Sequence, residues 1–284
     1  MKRIAILGPG LLGGSLALKL HASEMCKVRL WARRPEALKE IEERHCADFA
    51  SNDVAEIVRD ADLVVLCVPV DAMGDLARQV VSAIRPDTIV TDVGSVKASV
   101  AAELGPIFQS RGRFVGSHPM AGTEHTGLQA AKADLFHGTT CMVTPEESTA
   151  PETVEEVTRF WQSVGCRVVT IAAREHDECV ALISHLPHIV AGALVHAVAS
   201  ENAHAFQVVG PGFRDSTRVA SGPPGMWIGI LRENSAAILA ALDALLVKLT
   251  DLRQILASPQ NGDASLRNFL AEAKQTRDQI KFPS

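Results

Sequence analysis

The chain has 284 residues, 47% hydrophobic and 21% charged, with a formal net charge of -5. That length supports one large or two medium globular domains, and the acidic balance gives no footprint for a nucleic-acid partner. Six cysteines at 26, 46, 67, 141, 166 and 179 contain no C-x-x-C pair, which argues against a disulfide framework and for a reducing, cytoplasmic setting. No apolar run reaches membrane-spanning length, and the N-terminus reads as a strand rather than a signal peptide, so no membrane partner is expected.

Residues 2–7 form a short apolar run, read as a buried parallel strand. Gly8-Pro9-Gly10-Leu11-Leu12-Gly13-Gly14 follows, and residues 15–20 have helical character. This is G-x-G-x-x-G after a strand and opening a helix, the context that dinucleotide binding requires. Gly8 makes the tight turn, Gly10 admits a pyrophosphate to the backbone, and Gly13 lets the helix pack on the strand. Leu11 and Leu12 lie in the same turn, where the helix N-terminus offers free N–H groups to phosphate. The plainer alternative is a glycine turn without a ligand. The second strand, 27–31, ends at Ala32-Arg33-Arg34. An acidic residue there would take the ribose hydroxyls of NAD; guanidinium groups suit a 2′-phosphate instead, so NADP is favoured over NAD. Arg33 and Arg34 as solvated loop charges are the alternative.

Residues 62–70 read as the fourth strand, with Val68 and Pro69 in the ligand loop at its carboxyl end. Residues 88–93 are the next strand, followed by Gly94-Ser95-Val96-Lys97. Both loops fall on the pyrophosphate edge. Ser95 can bond the nicotinamide or the catalytic histidine, or simply cap a helix. Further short strands are expected at 113–115, 140–143 and 166–171, with a helix at 153–164. The nucleotide-binding domain therefore spans 1–172. Between the strand ending at Phe114-Val115 and the next lies the polar, glycine-rich stretch 116–127 around His118. A histidine at a strand exit beside such a loop is placed for acid–base work near neutral pH; a loop histidine that merely caps is the alternative.

From 173 to 284 helical periodicity takes over. Residues 175–200 carry apolar positions in an i, i+3, i+4 pattern, interrupted by Ser184-His185-Leu186-Pro187-His188. Pro187 is expected to kink this helix, and Ser184 and His188 share a face. His185 and His188 have no third ligand of sensible spacing nearby, so no metal is assigned. Residues 210–218 form a polar stretch between helices, where Arg218 can clamp a carboxylate or sit in a surface ion pair. A long helix is expected from Met226-Trp227. Its ladder of Ile238, Leu242, Leu245, Leu249, Leu252 and Leu256 wants a helical partner. A homodimer built through this half is favoured over packing within the domain. A loop at 258–263 and a final helix at 264–280 complete the chain. The fold class is thus α/β: a Rossmann-type doubly wound sheet followed by an all-helical substrate and dimerisation domain.

Together, residues 8–14, 92–97, 116–127, 183–188 and 212–218 resemble the prephenate/arogenate dehydrogenases of tyrosine biosynthesis. The resemblance covers residues 1–256, and the histidine stretch with the Ser-His-Leu-Pro-His helix is its most specific pair. It implies that His118 meets the ring hydroxyl of the substrate and that Ser95 supports His118 and the nicotinamide. Arg218 then binds a substrate carboxylate, with Ser184, His188, Trp227, Gly122 and Thr123 in the same cleft. Family members that prefer NAD often carry an acidic residue where Ala32 stands. The implied reaction is oxidative decarboxylation of prephenate to 4-hydroxyphenylpyruvate, or of arogenate to tyrosine. Hydride passes to the nicotinamide, the hydroxyl proton passes towards His118, and the ring carboxylate leaves as carbon dioxide. No appended mutase or regulatory domain is expected. The alternatives are a β-hydroxyacid dehydrogenase, which would need a catalytic lysine such as Lys248, and a non-catalytic NADP(H) sensor, which would need neither His118 nor Arg218.

Overall fold

A computed structural model describes residues 1–24, 26–123, 125–258 and 262–280. The N-terminal half begins with β1 (Arg3–Leu7), α1 (Leu11–Ser23), β2 (Lys27–Trp31), α2 (Pro35–Glu43), β3 (Phe49–Ser51), α3 (Val54–Val58), β4 (Leu63–Leu66), α4 (Met73–Ala83), β5 (Ile89–Asp92), α5 (Ala98–Phe108) and β6 (Arg113–Phe114). These strands form a six-stranded parallel sheet in the order β3-β2-β1-β4-β5-β6. The chain order reverses between β1 and β4, which opens a crevice at the carboxyl ends of the strands. Both faces are covered, so the central strands are apolar throughout. Ile4, Ile6 and Val65 join one core with Leu16, Phe136 and Trp161. Ala5, Leu7, Val64 and Leu66 join the other with Ile57, Met73 and Leu104.

A second, three-stranded sheet follows, made of β7 (Gly116–Pro119), β8 (Thr140–Thr144) and β9 (Arg167–Thr170), with α6 (Pro151–Ser163) before β9. β7 runs antiparallel to β8, and His118 pairs with Met142. The expectation that the chain enters a loop at Gly116 is therefore corrected: Gly116-Ser117-His118-Pro119 is a fully buried strand. Its polar groups have partners inside the protein. The Ser117 hydroxyl donates to the Asp92 carbonyl at 2.6 Å and accepts from Trp161 Nε1 at 2.9 Å.

The helical half contains α7 (Ala173–Val180), α8 (Leu186–Glu201), α9 (Pro211–Thr217), α10 (Pro224–Glu233), α11 (Ser235–Ala257) and α12 (Gly262–Gln279). Between α7 and α8 the backbone winds one π turn, Ala181–His185. Pro187 lacks the N–H that would bond the Ile183 carbonyl, and the wider turn absorbs that loss. The helix thus continues through the proline, so Ala173–Glu201 is long and apolar enough to cross a membrane by length and composition. This corrects the sequence expectation on that point. The segment packs on α9, α11 and the 3₁₀ turn Arg218–Ser221, with Ser184 and His185 on a cavity wall. Within the polar stretch 210–218, Pro211–Thr217 is itself a helix, α9, and Arg218 opens the 3₁₀ turn Arg218–Ser221. The expected single long helix is split at Asn234 into α10 and α11. Of the expected loop at 258–263, residues 259–261 lie outside the described residues.

Gly13 faces the tightest glycine contact to backbone in the nucleotide half: a Cβ there would lie 2.0 Å from the Gly8 carbonyl oxygen and 2.9 Å from Cys67 Cβ. Gly13→Ala must therefore push α1 off β1. Overpacking of this kind costs about 1–3 kcal/mol, so thermal unfolding is expected to shift down and dinucleotide affinity to fall with it. An unchanged melting midpoint would show that the helix yields without cost.

Candidate active site

Along the crevice, Gly8 has φ +119° and a Cβ there would meet the Cys67 carbonyl oxygen at 2.4 Å. Only glycine takes that conformation without strain. Gly10 is the N-cap of α1 with no side-chain cap and open space around it, so the first amides of α1 face the crevice without a side chain competing for them. An opening of about 770 Å³ continues past Gly8 and Gly10 to Ala32, Arg33, Arg34 and Pro69, with Asp71 and Asp75 also on its wall. Ala32 is buried and offers no acceptor for ribose hydroxyls. The uncapped helix start fits a pyrophosphate, and the arginine pair fits a further phosphate.

Beyond the glycine turn a cavity of about 400 Å³ is lined by Leu11, Leu12, Val68, Ser95, His118 and Thr123. It adjoins one of about 320 Å³, where Ser95, His118, Gly122 and Thr123 recur beside Ser184, Arg218 and Trp227. The nucleotide and helical halves thus share one cleft, with Ser95 and His118 on the wall common to both cavities.

A buried ion pair between Lys97 and Asp92 backs this wall, both side chains being fully excluded from solvent. Asp92 also accepts from Gly94 N at 2.8 Å and Ser117 N at 3.0 Å, while Lys97 Nζ donates to the Ser117 carbonyl at 3.1 Å. The β5–α5 turn that carries Ser95 is thereby tied to the strand that carries His118.

His118 is 8% exposed. Its Nδ1 lies 2.8 Å from His176 Nε2, and His176 Nδ1 lies 2.8 Å from Asp177 Oδ1. The carboxylate of Asp177 accepts from Lys97 N at 2.7 Å and Ala98 N at 2.9 Å, at the start of α5. Burial alone would raise the Asp177 carboxyl, but the bonds from His176 and these amides hold it below the usual range. Burial, reinforced by the nearby His176, Lys97 and His185, pushes His118 well below the ordinary histidine value. Burial likewise lowers His176 against the opposing pull of Asp177. His185 is lowered to about 4, again chiefly by burial. Its Nδ1 lies 3.2 Å from the Asn234 side-chain amide nitrogen, which also donates to the Asp177 carbonyl at 2.8 Å. Neutral His185 therefore accepts at Nδ1 and carries its proton on Nε2.

The structure gathers Ser95, His118, Gly122, Thr123, Ser184, Arg218 and Trp227 on one cleft. His118 Nδ1 is held by His176, while Ser95 shares the cavity wall with His118 and makes no hydrogen bond to it. His188 stands behind the cleft rather than in it, its ring stacked on Trp227 at 3.5 Å and 9°. Arg214 pairs with Asp215 at the surface, leaving Arg218 as the arginine of this stretch on the cavity. His176, Asp177 and Asn234 carry no expectation from the sequence, and His185 was weighed there only as a metal ligand. Glu175-His176-Asp177-Glu178 looks like a solvated helix start, and only the tertiary fold buries its middle pair. No group of three or more His, Cys, Asp or Glu that could hold a metal occurs among the described residues.

The family model described as "Prephenate dehydrogenase, nucleotide-binding domain" matches residues 16–170, and "Prephenate dehydrogenase, dimerization domain" matches 172–272. The chain is 36% identical to a cyclohexadienyl dehydrogenase of Zymomonas mobilis, over 99% of this chain and 96% of that protein. It superposes with a TM-score of 0.91 at 30% identity on a prephenate dehydrogenase from Aquifex aeolicus solved with hydroxyphenyl propionate and NAD+, covering 99% of both chains. A Synechocystis arogenate dehydrogenase gives a TM-score of 0.84 at 29% identity, over 98% and 99% of the respective chains.

Neutral burial of His118, His176 and His185 has a signed consequence for stability. Their folded-state values lie below the unfolded one near 6.5, so on acidification the unfolded chain takes up protons first. The stabilisation is complete above about pH 6.5 and is lost as pH falls towards the folded-state values, each histidine contributing up to about 1.4 kcal/mol per pH unit. The melting midpoint is expected to be level from pH 8 to 7 and to fall between about pH 6.5 and 5. A midpoint that stays level or rises across that window would show that these rings are charged in the fold.

Proposed function

The chain belongs to the prephenate dehydrogenase family, and on that premise we propose how its cleft carries out the family's chemistry. The activity is an NAD(P)-dependent oxidative decarboxylation of prephenate or arogenate in tyrosine biosynthesis. The observation that carries the residue assignments is the buried, neutral His118 on the wall between the cofactor side and a cavity that holds an arginine.

His118 takes the proton of the substrate's ring hydroxyl through Nε2, the ring nitrogen its partner leaves available. Arg218 offsets the desolvation of a substrate carboxylate. Ser95, Ser184, Gly122 and Thr123 line the remaining polar walls, and Trp227, braced by His188, supplies a rigid flat face for the ring. The bound nicotinamide supplies the hydride acceptor. Departure of carbon dioxide leaves an aromatic ring, so the protein's task is orientation and a proton acceptor rather than force. The rival catalytic lysine, Lys248, is exposed on α11 and lines neither cavity.

The cofactor reading favours NADP, with Gly8, Gly10 and Gly13 shaping the turn and Arg33 and Arg34 holding the 2′-phosphate. It rests on the arginine pair and the apolar Ala32 at the end of β2. The helical half matches a dimerisation domain, and we place the homodimer interface on the exposed apolar residues Leu182, Ile183, Val190, Leu194, Leu246 and Leu249. Covering that face in a second copy also accounts for the apolar character of Ala173–Glu201. The free thiols and the biosynthetic role agree with a cytoplasmic protein.

Steady-state assays of reduced-cofactor absorbance, with prephenate and with arogenate, test the assignment. His118→Asn is expected to leave cofactor affinity nearly intact and to lower kcat by about 10²–10⁴-fold. Near-wild-type turnover would remove His118 from the mechanism. Replacing Arg33 and Arg34 together by Gln is expected to raise the KM for NADP while hardly moving that for NAD, each exposed charge pairing being worth up to about 1 kcal/mol. A wild-type enzyme that prefers NAD outright would overturn the phosphate assignment.

A further inference from the structure

We propose that His176, held by Asp177, is a positioning residue that locks His118 in the tautomer with its Nε2 lone pair towards the cleft. The proposal deepens the reading of His118 as proton acceptor and rests on it.

Hydrogen-bond roles propagate along a chain of buried atoms from Asp177 to His118. Asp177 receives backbone N–H bonds on both carboxylate oxygens, from Lys97 and Ala98. As a carboxylate it can only accept, so His176 Nδ1, 2.8 Å away, must be the donor in that pair. With its proton on Nδ1, neutral His176 offers a lone pair at Nε2. His118 Nδ1 faces that lone pair at 2.8 Å and must therefore carry a proton. The remaining nitrogen of neutral His118 is then bare. It is the one that an incoming hydroxyl needs as acceptor.

The opposite arrangement would set lone pair against lone pair at Asp177 and proton against proton, or strand a proton, in a site without water access. A doubly protonated His176 would reverse the bond to His118. Burial and the Lys97 ammonium oppose that state, with Asp177 and Asp92 pulling the other way, and His176 stays below its ordinary value. Asp177 is in turn immobilised from another side, because the Asn234 amide donates to its carbonyl. Each member of the chain is thus fixed by contacts that do not involve substrate. His176 is fully buried and lines neither cavity, so it acts through His118 rather than by touching the reacting atoms.

The test combines ¹⁵N NMR of histidine-labelled full-length protein with kinetics of His176→Phe and His176→Gln. In the wild type the His118 signals near neutral pH are expected to show a protonated Nδ1 and a bare Nε2. His176→Phe removes the acceptor, so the His118 tautomers mix and kcat is expected to fall by about 10²-fold or more with the cofactor KM unchanged. Glutamine can give its amide N–H to Asp177 and its carbonyl to His118 Nδ1–H. His176→Gln is therefore expected to restore kcat to within roughly 10-fold of wild type. A wild-type His118 protonated on Nε2 would overturn the proposal, even if the Phe variant fails to fold. So would wild-type kcat in His176→Phe, or equal losses in folded Phe and Gln variants. His118→Asn run alongside separates the two readings. Full turnover there removes His118 as the base, whereas an inactive His118→Asn beside a fully active His176→Phe removes only the lock.

Discussion

The buried pair of Asp92 and Lys97 is the contact on which the cleft depends. Neither charge reaches water, so each is tolerable only because the other is present and the remaining lone pairs and protons are bonded. Asp92 stands at the end of β5 in the parallel sheet, and Ser117, which both of its neighbours grip, stands in β7 of the other sheet. The pair therefore joins the sheet that binds the dinucleotide to the strand that carries His118. Losing one partner would leave an uncompensated buried charge, a cost of about 3–5 kcal/mol, and would release both Ser95 and His118 from a shared frame.

That frame fixes the strand that carries His118. A strand residue has both backbone neighbours in a ladder and its side chain directed by the pleat. His118 is held by its pairing with Met142 below and by His176 at the ring. The electrostatic setting follows from the same burial. Burial keeps the His118 ring neutral, and a positive ammonium and two further imidazoles nearby add to that effect.

Much of this was legible in the sequence where the code is local. The parallel strands announce themselves as apolar runs because both sheet faces are covered, and the glycine turn is defined by spacing and context. The motifs around His118, Ser95, Ser184, Arg218 and Trp227 were recognisable as a set, and the fold brings those residues to one cleft. Two of the failures share one cause, which is polarity satisfied at long range. Gly116–Pro119 looked like a loop because its partners, Asp92, Thr91 and Trp161, lie at distant positions in the chain. His176 and Asp177 carry no signal in the sequence because their partners at 97, 98 and 118 are brought up only by folding. His188 was placed on the cleft by its sequence neighbours, yet the stack on Trp227 turns it into a brace. Pro187 promised a break in the helix, and the π turn before it removed the need for one.

The break at Asn234 has a mechanical meaning. The 23 residues of α11 make a rod about 35 Å long, pivoted at the end where the Asn234 amide grips the Asp177 carbonyl and His185. Displacement along a pivoted rod grows with distance from the fulcrum. A tilt of about 5° would carry the far end roughly 3 Å while hardly moving the pivot. The apolar outer turns of α11, with Leu249 and Leu256 exposed, can thus settle against another surface with several ångströms of play. In such a tilt the histidine chain beside the fulcrum would move least.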